Sequence, residues 1–340
     1  VLAVAILPIL GVGGMQLYRA ETPGPVKDNK MTPRIADTAK HLWYIYLTIT
    51  IACAGAYWLS GMNVFDAICH AFSTVAIGGF SNHDASLGYF NSPMVNVVCT
   101  VFLLIAALNF SLHYAAVSSR SVKGYFKDPE FKAFFIIQAS LIGICFLILT
   151  LSGYYSSAEQ ALDQAMIQAV SISTTAGFAT TDFSVWPTFL PIMLIFSSFI
   201  GGCASSTGGG LKVVRVCLLF LQGKREVDRL IHPKAVYSVK FGDRAMPDRV
   251  VEAVWGFFSA YAVVFVVIMI GLIATGLDNL SAFTATAAML NNLGPGLGSV
   301  AANYADVTDA GKWILVTGMV FGRLEVFSLL VLFSPTFWRS

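Results

Sequence analysis

Four long apolar runs constrain the fold of this 340-residue chain more than any other feature. They lie near residues 42–60, 133–153, 254–276 and 314–333, and each can cross a hydrocarbon core of about 30 Å as a helix. Composition agrees, because 56% of the residues are hydrophobic, only 12% are charged and the mean hydropathy is +0.71. The sequence therefore predicts an all-α membrane protein, since helices satisfy their own backbone hydrogen bonds in lipid.

Basic residues divide the chain into segments on the two sides of a membrane. Lys and Arg cluster in residues 19–40, 120–132 and 212–249 and at Arg339, and the positive-inside rule places these segments in the cytoplasm. The acidic residues between the clusters are predicted at the outer mouth and are Asp66, Asp84, Glu159, Asp163, Asp182, Asp278, Asp306 and Asp309. Opposed there by Lys312 alone, they are expected to attract cations, although a solvated acidic surface without selectivity is the alternative.

Three stretches share one plan, in which a short helix ends at glycine between two longer apolar segments. They read FDAICHAFSTVAIGGF from Phe65, LDQAMIQAVSISTTAGF from Leu162 and SAFTATAAMLNNLGPG from Ser281. A helix of about ten to fourteen residues that enters and leaves on one side of the membrane is re-entrant rather than spanning. We therefore predict repeated units of helix, re-entrant pore helix with filter loop, and helix, arranged around a central ion pore.

The glycines of these stretches indicate a cation filter. Non-helical backbone at membrane depth is stable where it lines a water-filled path, and Gly79, Gly177 and Gly294 allow backbone angles closed to other residues. Carbonyls next to such glycines can coordinate a dehydrated cation. The predicted K⁺ filter residues are Ala76, Ile77, Gly78, Gly79, Thr174, Thr175, Ala176, Gly177, Asn291, Asn292, Leu293 and Gly294. A helix C-cap explains any one copy, but three copies in register favour the filter.

A second break interrupts the inner helix of the middle unit at residues 201–210. This segment consists of Gly201, Gly202, Cys203, Ala204, Ser205, Ser206, Thr207, Gly208, Gly209 and Gly210. It lies about 15 Å below the membrane entry of that helix, which places it just below the predicted filter. A phosphate-binding loop is excluded because Lys212 follows Leu211 without a Gly-Lys-Ser/Thr triplet, whereas a structural kink stays possible.

An arginine lies deep in the last apolar run. Arg323 follows Lys312, at the outer end of that run, by about 16 Å along a helix, so it lies near mid-membrane. Arginine at that depth is costly unless it faces an aqueous path or a polar partner. The expected partners are the carbonyls and hydroxyls of Ser205, Ser206 and Thr207. A structural ion pair with Glu325 is the alternative.

The remaining polar residues and the cysteines are predicted to have structural roles. The six cysteines are interpreted as packing residues and are Cys53, Cys69, Cys99, Cys145, Cys203 and Cys217. His70, His83 and His113 are isolated in the sequence and are predicted to be packing or surface residues rather than metal ligands. Asn109 is predicted to hydrogen-bond across helices.

The sequence resembles the Trk/Ktr/HKT superfamily of potassium transporters over essentially its whole length. The motifs are AIGGFS, SISTTAGF, FIGGCASSTGGGLK, NNLGPGLG, FGRLE and the terminal PTFWRS. The resemblance implies potassium uptake through a gated carbonyl filter, with residues 201–210 and Arg323 as an intramembrane gate. It also implies four repeats around one pore, of which the first, with its filter residue, is absent here.

On this resemblance the chain divides into pore repeats and cytoplasmic linkers. The segments are the end of a preceding helix with a linker (1–41), the second repeat (42–119), a linker (120–132), the third repeat (133–222), a cytoplasmic loop (223–251) and the fourth repeat (252–340).

The resemblance also implies the partners and the location. It implies a homodimer in the bacterial inner membrane, in contact with lipid, and a cytoplasmic nucleotide-binding regulator of the TrkA type. Residues 223–249 are a candidate docking surface, with Lys224, Arg225 and Arg229 as its basic residues, and anionic lipid would bind the same charges. K⁺ is the expected ion, the nucleotide is expected on the regulator rather than as an organic cofactor here, and no nucleic-acid partner is expected.

Two other functional classes agree less well with the sequence. A Na⁺-permeable or Na⁺/H⁺-coupled carrier is the alternative, although carriers of that kind usually show inverted repeats rather than repeats of one re-entrant unit. An intramembrane enzyme is disfavoured, because the sequence has no HExxH, no Gly-x-Ser-x-Gly and no paired intramembrane carboxylates.

Overall fold

The computed structural model describes residues 35–324, 326, 329 and 330, and this part of the chain is mainly helical. The helices are α1 (Ile35–Leu59), α2 (Val64–Val75), α3 (Pro93–Ala106), α4 (Phe110–Ser119), α5 (Lys123–Lys127), α6 (Pro129–Leu151), α7 (Ala158–Ser173), α8 (Leu190–Ser198), α9 (Val213–Ile231), α10 (Asp248–Ala274), α11 (Asn279–Leu290) and α12 (Asp309–Arg323). A small antiparallel hairpin of β1 (Lys240–Phe241) and β2 (Arg244–Ala245) lies between α9 and α10. Short 3₁₀ turns lie at Ser86–Phe90, Phe183–Val185 and Gly298–Val300. The predictions for residues 1–34, for Glu325 and for the terminal PTFWRS lie outside the described residues.

Three of the described helices are long and apolar enough to span a membrane. They are Lys40–Leu59 within α1, the whole of α6 and the whole of α10. The fourth predicted run, residues 314–333, differs, because α12 ends at Arg323 and most of the run beyond it lies outside the described residues.

Each long helix is followed by a short helix that packs back against it. The pairs are α1 with α2, α6 with α7, and α10 with α11. The side chain before each short helix caps it, since Asn63, Ser157 and Asp278 accept hydrogen bonds from backbone N–H groups three residues later. The same element order thus occurs three times, at the places where the sequence shows its repeated stretches.

The segment after α2 contains a sharp bend that was not predicted. Helices α3 and α4 would pass as one span, but they bend by 88° at the break between them. The prediction that Asn109 hydrogen-bonds across helices is wrong, because its side chain caps α4 by accepting from the Ser111 N–H at 2.8 Å. An Asn at that position therefore starts a new helix, as N-cap residues do.

Two apolar clusters hold the repeats together, and α7 contributes to both. Ala165 and Ala169 belong to one cluster with residues of α8, α10, α11 and α12, whereas Ile167 and Val170 belong to the other cluster with residues of α1, α2 and α3. Opposite faces of one short helix therefore join the neighbouring repeats. This arrangement brings the segments that follow α2, α7 and α11 close to one another.

Candidate functional site

The segments that follow α2, α7 and α11 share one backbone conformation. Positive φ occurs first at a residue other than glycine, namely at Ile77 (52°), Thr175 (70°) and Asn292 (56°). Two residues later it recurs at glycine, namely at Gly79 (68°), Gly177 (84°) and Gly294 (101°). Positive φ is uncommon outside glycine and persists only where the surroundings hold it. Its recurrence in the same register indicates three equivalent segments.

Carbonyl groups of one segment lie against the glycine of another. A Cβ atom on Gly79 would overlap the carbonyl oxygen of Ala176, and a Cβ atom on Gly177 would overlap the carbonyl oxygen of Leu293. A Cβ atom on Gly294 would meet no described atom within 4 Å. Ala176 and Leu293 each precede the glycine of their own segment, so the contact repeats in register. The glycine of each of the first two segments therefore lies against a carbonyl of the next segment in the chain. A side chain at Gly79 or Gly177 would displace that carbonyl.

Side chains of the short helices hold the chain that leaves each segment. The hydrogen-bonded pairs are His70 Nε2 with Ser81 Oγ at 2.9 Å, Gln168 Nε2 with the Thr181 carbonyl at 3.1 Å, and the Leu297 N–H with Thr284 Oγ1 at 2.9 Å. His70 and Gln168 stand at the same distance in sequence before Gly79 and Gly177. This equal spacing is present in the sequence, but it can be recognised as a shared feature only after the repeats are aligned on their glycines.

His70 and His83 are isolated in the sequence but lie close together in the structure, where they have the polar packing role that was predicted. His83 Nε2 lies 3.1 Å from Asp66 Oδ2, and His70 Nδ1 bonds the Asp66 backbone carbonyl at 2.8 Å. Asn63 and Asn82 also donate to the Asp66 carboxylate, which is 4% exposed. Asp66 thus belongs to a buried polar cluster and not to a solvated acidic surface, which was the alternative. Within the described part of the chain, no group of at least three His, Cys, Asp or Glu side chains could hold a metal ion.

Other acidic residues predicted at the outer mouth also have partners within the chain. Asn96 donates to the Asp163 carboxylate at 2.8 Å. Hydrogen bonds from Ser281 hold the pKa of the Asp278 carboxyl below its ordinary value, so this group is ionised at neutral pH. Lys312 Nζ lies 4.0 Å from Asp309 Oδ1. The predicted negative mouth therefore consists partly of groups that fix helix ends.

Residues 201–210 pass directly beside the ends of all three short helices. Thr207 Oγ1 donates to the carbonyl of Val75, the last residue of α2, at 2.9 Å. The Gly209 N–H donates to Thr175 Oγ1 at 2.7 Å, and a Cβ atom on Gly209 would overlap the Asn291 carbonyl oxygen. The loop 201–210 thus contacts the last residue of α2 and the first residues of the segments that follow α7 and α11.

Cationic side chains hold consecutive carbonyls of the loop 201–210. Arg323 donates to the Thr207 carbonyl at 3.3 Å, which is a contact of the kind expected from the sequence. Lys212 is 3% exposed, and its Nζ donates to the carbonyls of Ser206 at 3.4 Å and Gly208 and to Ser206 Oγ at 3.1 Å. Sequence reasoning missed this role of Lys212, although a lysine two residues after a glycine run was the available signal.

The bend between α3 and α4 is paired with the same loop. The Cys203 N–H donates to the Ala107 carbonyl at 2.8 Å, and the Phe110 N–H donates to the Ser205 carbonyl at 3.3 Å. Backbone groups freed by a break in a membrane helix need such partners, because lipid offers none. The loop therefore accounts for the stability of the bend.

On the predicted cytoplasmic side, the interpretation of Arg225 as a docking residue is wrong. Arg225 is 8% exposed and donates to Asp248 Oδ1 at 2.6 Å, so it ties α9 to the start of α10. Lys224 and Arg229 are exposed. The same helix also exposes large apolar side chains, namely Phe220, Val227, Leu230 and Ile231.

Comparison with known proteins gives consistent relatives over the whole chain. The family described as "TrkH: Cation transport protein" matches residues 1–340. The chain is 67% identical over 342 residues to the Trk system potassium uptake protein TrkH of Vibrio parahaemolyticus serotype O3:K6, covering 100% of this chain and 70% of that protein. It is 62% identical over 340 residues to the Trk system potassium uptake protein TrkH of Escherichia coli strain K12, with the same coverage of 100% and 70%. Its fold is similar to the crystal structure of the potassium transporter TrkH from Vibrio parahaemolyticus, with a TM-score of 0.87 and 63% identity over 99% of this chain and 69% of that one.

Proposed function

The chain belongs to the TrkH family of cation transport proteins, and we propose that its three glycine-bearing segments form the filter of a gated potassium uptake pathway. Its function is potassium uptake across a membrane, and K⁺ is the transported ion.

The observation that carries the filter proposal is the contact between glycine and carbonyl in successive segments. With no Cβ atom at Gly79 and Gly177, the carbonyls of Ala176 and Leu293 can lie close beside the neighbouring segment. Carbonyls gathered in this way can replace the hydration shell of a K⁺ ion. The C-terminal ends of α2, α7 and α11 carry partial negative charge at the same place, which also favours a cation. The plan of four repeats that the resemblance implies would add a fourth set of carbonyls to this filter.

The gate proposal rests on the position of the loop 201–210. A simple kink in one helix would need no partners in the other repeats, yet this loop bonds Val75 and Thr175 and packs against Asn291. A segment across the inner end of the filter blocks ion flow while it stays there. Lys212 and Arg323, which hold its carbonyls, also place positive charge on the path and oppose cation entry.

Partners follow from the Trk system to which these relatives belong. Uptake systems of this kind work with partner proteins, and we propose a TrkA-type nucleotide-binding regulator on the exposed face of α9. Exposed apolar residues beside Lys224 and Arg229 on that face suit a protein partner. A homodimer in the bacterial inner membrane is the assembly that we propose.

The test of the filter uses the full-length protein in planar bilayers. Reversal potentials measured with K⁺ on one side and Na⁺ on the other report selectivity directly. We expect a clear K⁺ preference in the wild type and a weaker one after Gly177→Ser, because the added side chain displaces the Leu293 carbonyl. A Na⁺/H⁺-coupled carrier would instead show flux that depends on a Na⁺ or proton gradient, and that result would contradict the proposal.

A further inference from the structure

A buried carboxyl group holds both ends of the loop 201–210. Glu130 is 6% exposed, and its Oε1 atom accepts from the Ala204 N–H at 2.7 Å and from the Val214 N–H at 3.2 Å. Ala204 lies near the start of the loop, and Val214 lies in the first turn of α9, directly after it. A single oxygen atom therefore joins the two ends of the break.

Glu130 makes these bonds although its own helix does not require it. The N-terminus of α6 is already capped by Asp128, whose side chain accepts from the Phe131 N–H at 2.8 Å. Burial of a carboxyl group is unfavourable unless hydrogen-bond donors replace water, and here both donors belong to the loop and to α9. The hydrogen bonds of Glu130 thus stabilise the break at residues 201–210 rather than the N-terminus of α6.

The position of Glu130 also connects the loop to the hairpin between α9 and α10. The preceding residue, Pro129, packs against the hairpin turn, since a Cβ atom on Gly242 would lie 3.0 Å from Pro129 Cγ. On the other side of the carboxyl group, Val214 of α9 belongs to an apolar cluster with Val239, next to β1. A displacement of the hairpin would therefore act on Glu130 both through Pro129, which precedes it, and through Val214, whose N–H bonds its carboxyl group.

We propose that Glu130 is a positioning residue that keeps the loop 201–210 closed and transmits movement of the hairpin to it. This inference rests on the proposed function, in which the loop is the gate. Opening the path by moving α9 away from α6 would break the bond to Val214, and lifting the loop would break the bond to Ala204. Both movements are opposed by the same carboxyl group.

The experiment measures Rb⁺ uptake into proteoliposomes that contain the full-length protein without its regulator. Glu130→Leu removes the acceptor, Glu130→Asp shortens the side chain so that one oxygen cannot reach both N–H groups, and Glu130→Gln keeps an acceptor oxygen. Asp128→Ala is the matched control, because it removes a carboxylate from the same helix end that accepts its hydrogen bond from the Phe131 N–H and not from the loop. We expect uptake to rise about tenfold in the Leu and Asp variants, to stay near wild type in the Gln variant and to be unchanged in the control.

A second readout follows the loop itself. Cys203 lies in the loop and is 1% exposed, so in a variant that keeps Cys203 as its only cysteine we expect slow reaction with a water-soluble thiol reagent. Glu130→Asp in that background should speed the reaction about tenfold, in parallel with uptake. A role of Glu130 in folding alone would lower the protein yield without this parallel change.

The outcomes separate this inference from the gate proposal. If deletion of residues 201–210 raises uptake while both Glu130→Leu and Glu130→Asp match wild type in uptake and in Cys203 reactivity, Glu130 is not a positioning residue and the gate stands. Should the deletion leave uptake unchanged, with folded protein in equal amount, the gate proposal fails together with the inference. A rise in the Asp128→Ala control equal to that in Glu130→Asp would also overturn the inference, because any disturbance of α6 would then be enough.

Discussion

The carbonyl oxygen of Leu293 occupies the space that a side chain on Gly177 would fill. The two residues belong to different repeats, so the conformation of one segment depends on the absence of a side chain in the other. In the same way, the carbonyl oxygen of Ala176 occupies the space that a side chain on Gly79 would fill. Selectivity in such an arrangement is a property of the set of segments rather than of any one loop.

Replacement of Gly79 or Gly177 by serine is therefore expected to weaken K⁺ over Na⁺ discrimination. Each new side chain overlaps a carbonyl oxygen, and overpacking of this kind typically costs about 1–3 kcal/mol in addition to the strain of positive φ. Reversal potentials under mixed ions are the measurement. Gly143→Ser in α6 is a suitable control, since a Cβ atom there meets nothing within 4 Å. Wild-type selectivity in both filter variants would mean that these glycines only end helices.

Arg323→Ala is expected to raise ion flux in the absence of the regulator. In the proposed gate, the bond from Arg323 to the Thr207 carbonyl stabilises the closed loop, and a charge-assisted hydrogen bond worth about 1.5–3 kcal/mol changes the ratio of closed to open states roughly ten- to a hundredfold. Arg323→Lys should be intermediate, because lysine keeps the charge without the planar set of donors. Uptake of Rb⁺ into vesicles tests this, and flux at or below wild type in matched amounts of folded Arg323→Ala protein would contradict the gate.

Lys212→Met is expected to act in the same direction as Arg323→Ala. Methionine keeps much of the length of the side chain but cannot donate to the carbonyls of Ser206 and Gly208. Because Lys212 and Arg323 hold adjacent carbonyls of one loop, their effects on flux should not multiply independently in the double variant. A double-mutant cycle on uptake rates measures this coupling, and strict multiplicativity would show that the two cations act on separate elements.

Gln168→Leu is expected to reduce selectivity although its side chain is not among the proposed ion ligands. The amide of Gln168 bonds the Thr181 carbonyl, which fixes the chain leaving the segment around Gly177. Gln160→Leu, near the start of the same helix, is the matched control because that side chain is exposed. Mixed-ion reversal potentials should shift in the first variant and stay constant in the second. Equal behaviour of the two variants would remove the proposed support of the filter by α7.

Lys224→Glu with Arg229→Glu is expected to weaken co-purification of the proposed cytoplasmic regulator. Both residues are exposed on α9, and the ion pair of Arg229 with Glu226 is an exposed pair of small energy, so reversal of the two charges disturbs a docked protein with little effect on the fold. Arg225→Ala should behave differently and lower the melting temperature, because it removes the bond to Asp248 that joins α9 to α10. Unchanged co-purification of the charge-reversal variant at moderate salt would place the interface elsewhere.

Much of the fold could be predicted because the determining features are local in the sequence. In lipid, every backbone polar group needs a hydrogen-bond partner, so apolar runs predict helices and glycines within them predict breaks. These signals can be seen in the sequence in the apolar runs, at Gly79, Gly177 and Gly294, and in the loop 201–210. The contacts of Glu130 could not be predicted in this way. Glu130 lies far from Ala204 and Val214 in sequence, and one polar residue at a helix start carries no periodic signal. The bend after Ala106 was missed for a related reason, since its backbone partners belong to another repeat.

The pairing of the α3–α4 bend with the loop 201–210 has a consequence for how this protein can change during evolution. The bonds from Cys203 to Ala107 and from Phe110 to Ser205 join main-chain atoms only. Substitution of side chains cannot delete such bonds, except by proline at a donor position, so this connection between two repeats persists while the residues around it diverge. Homologues with quite different side chains at Ala107 and Ser205 are therefore expected to keep both the bend and the loop, and to lose them together when either segment changes in length.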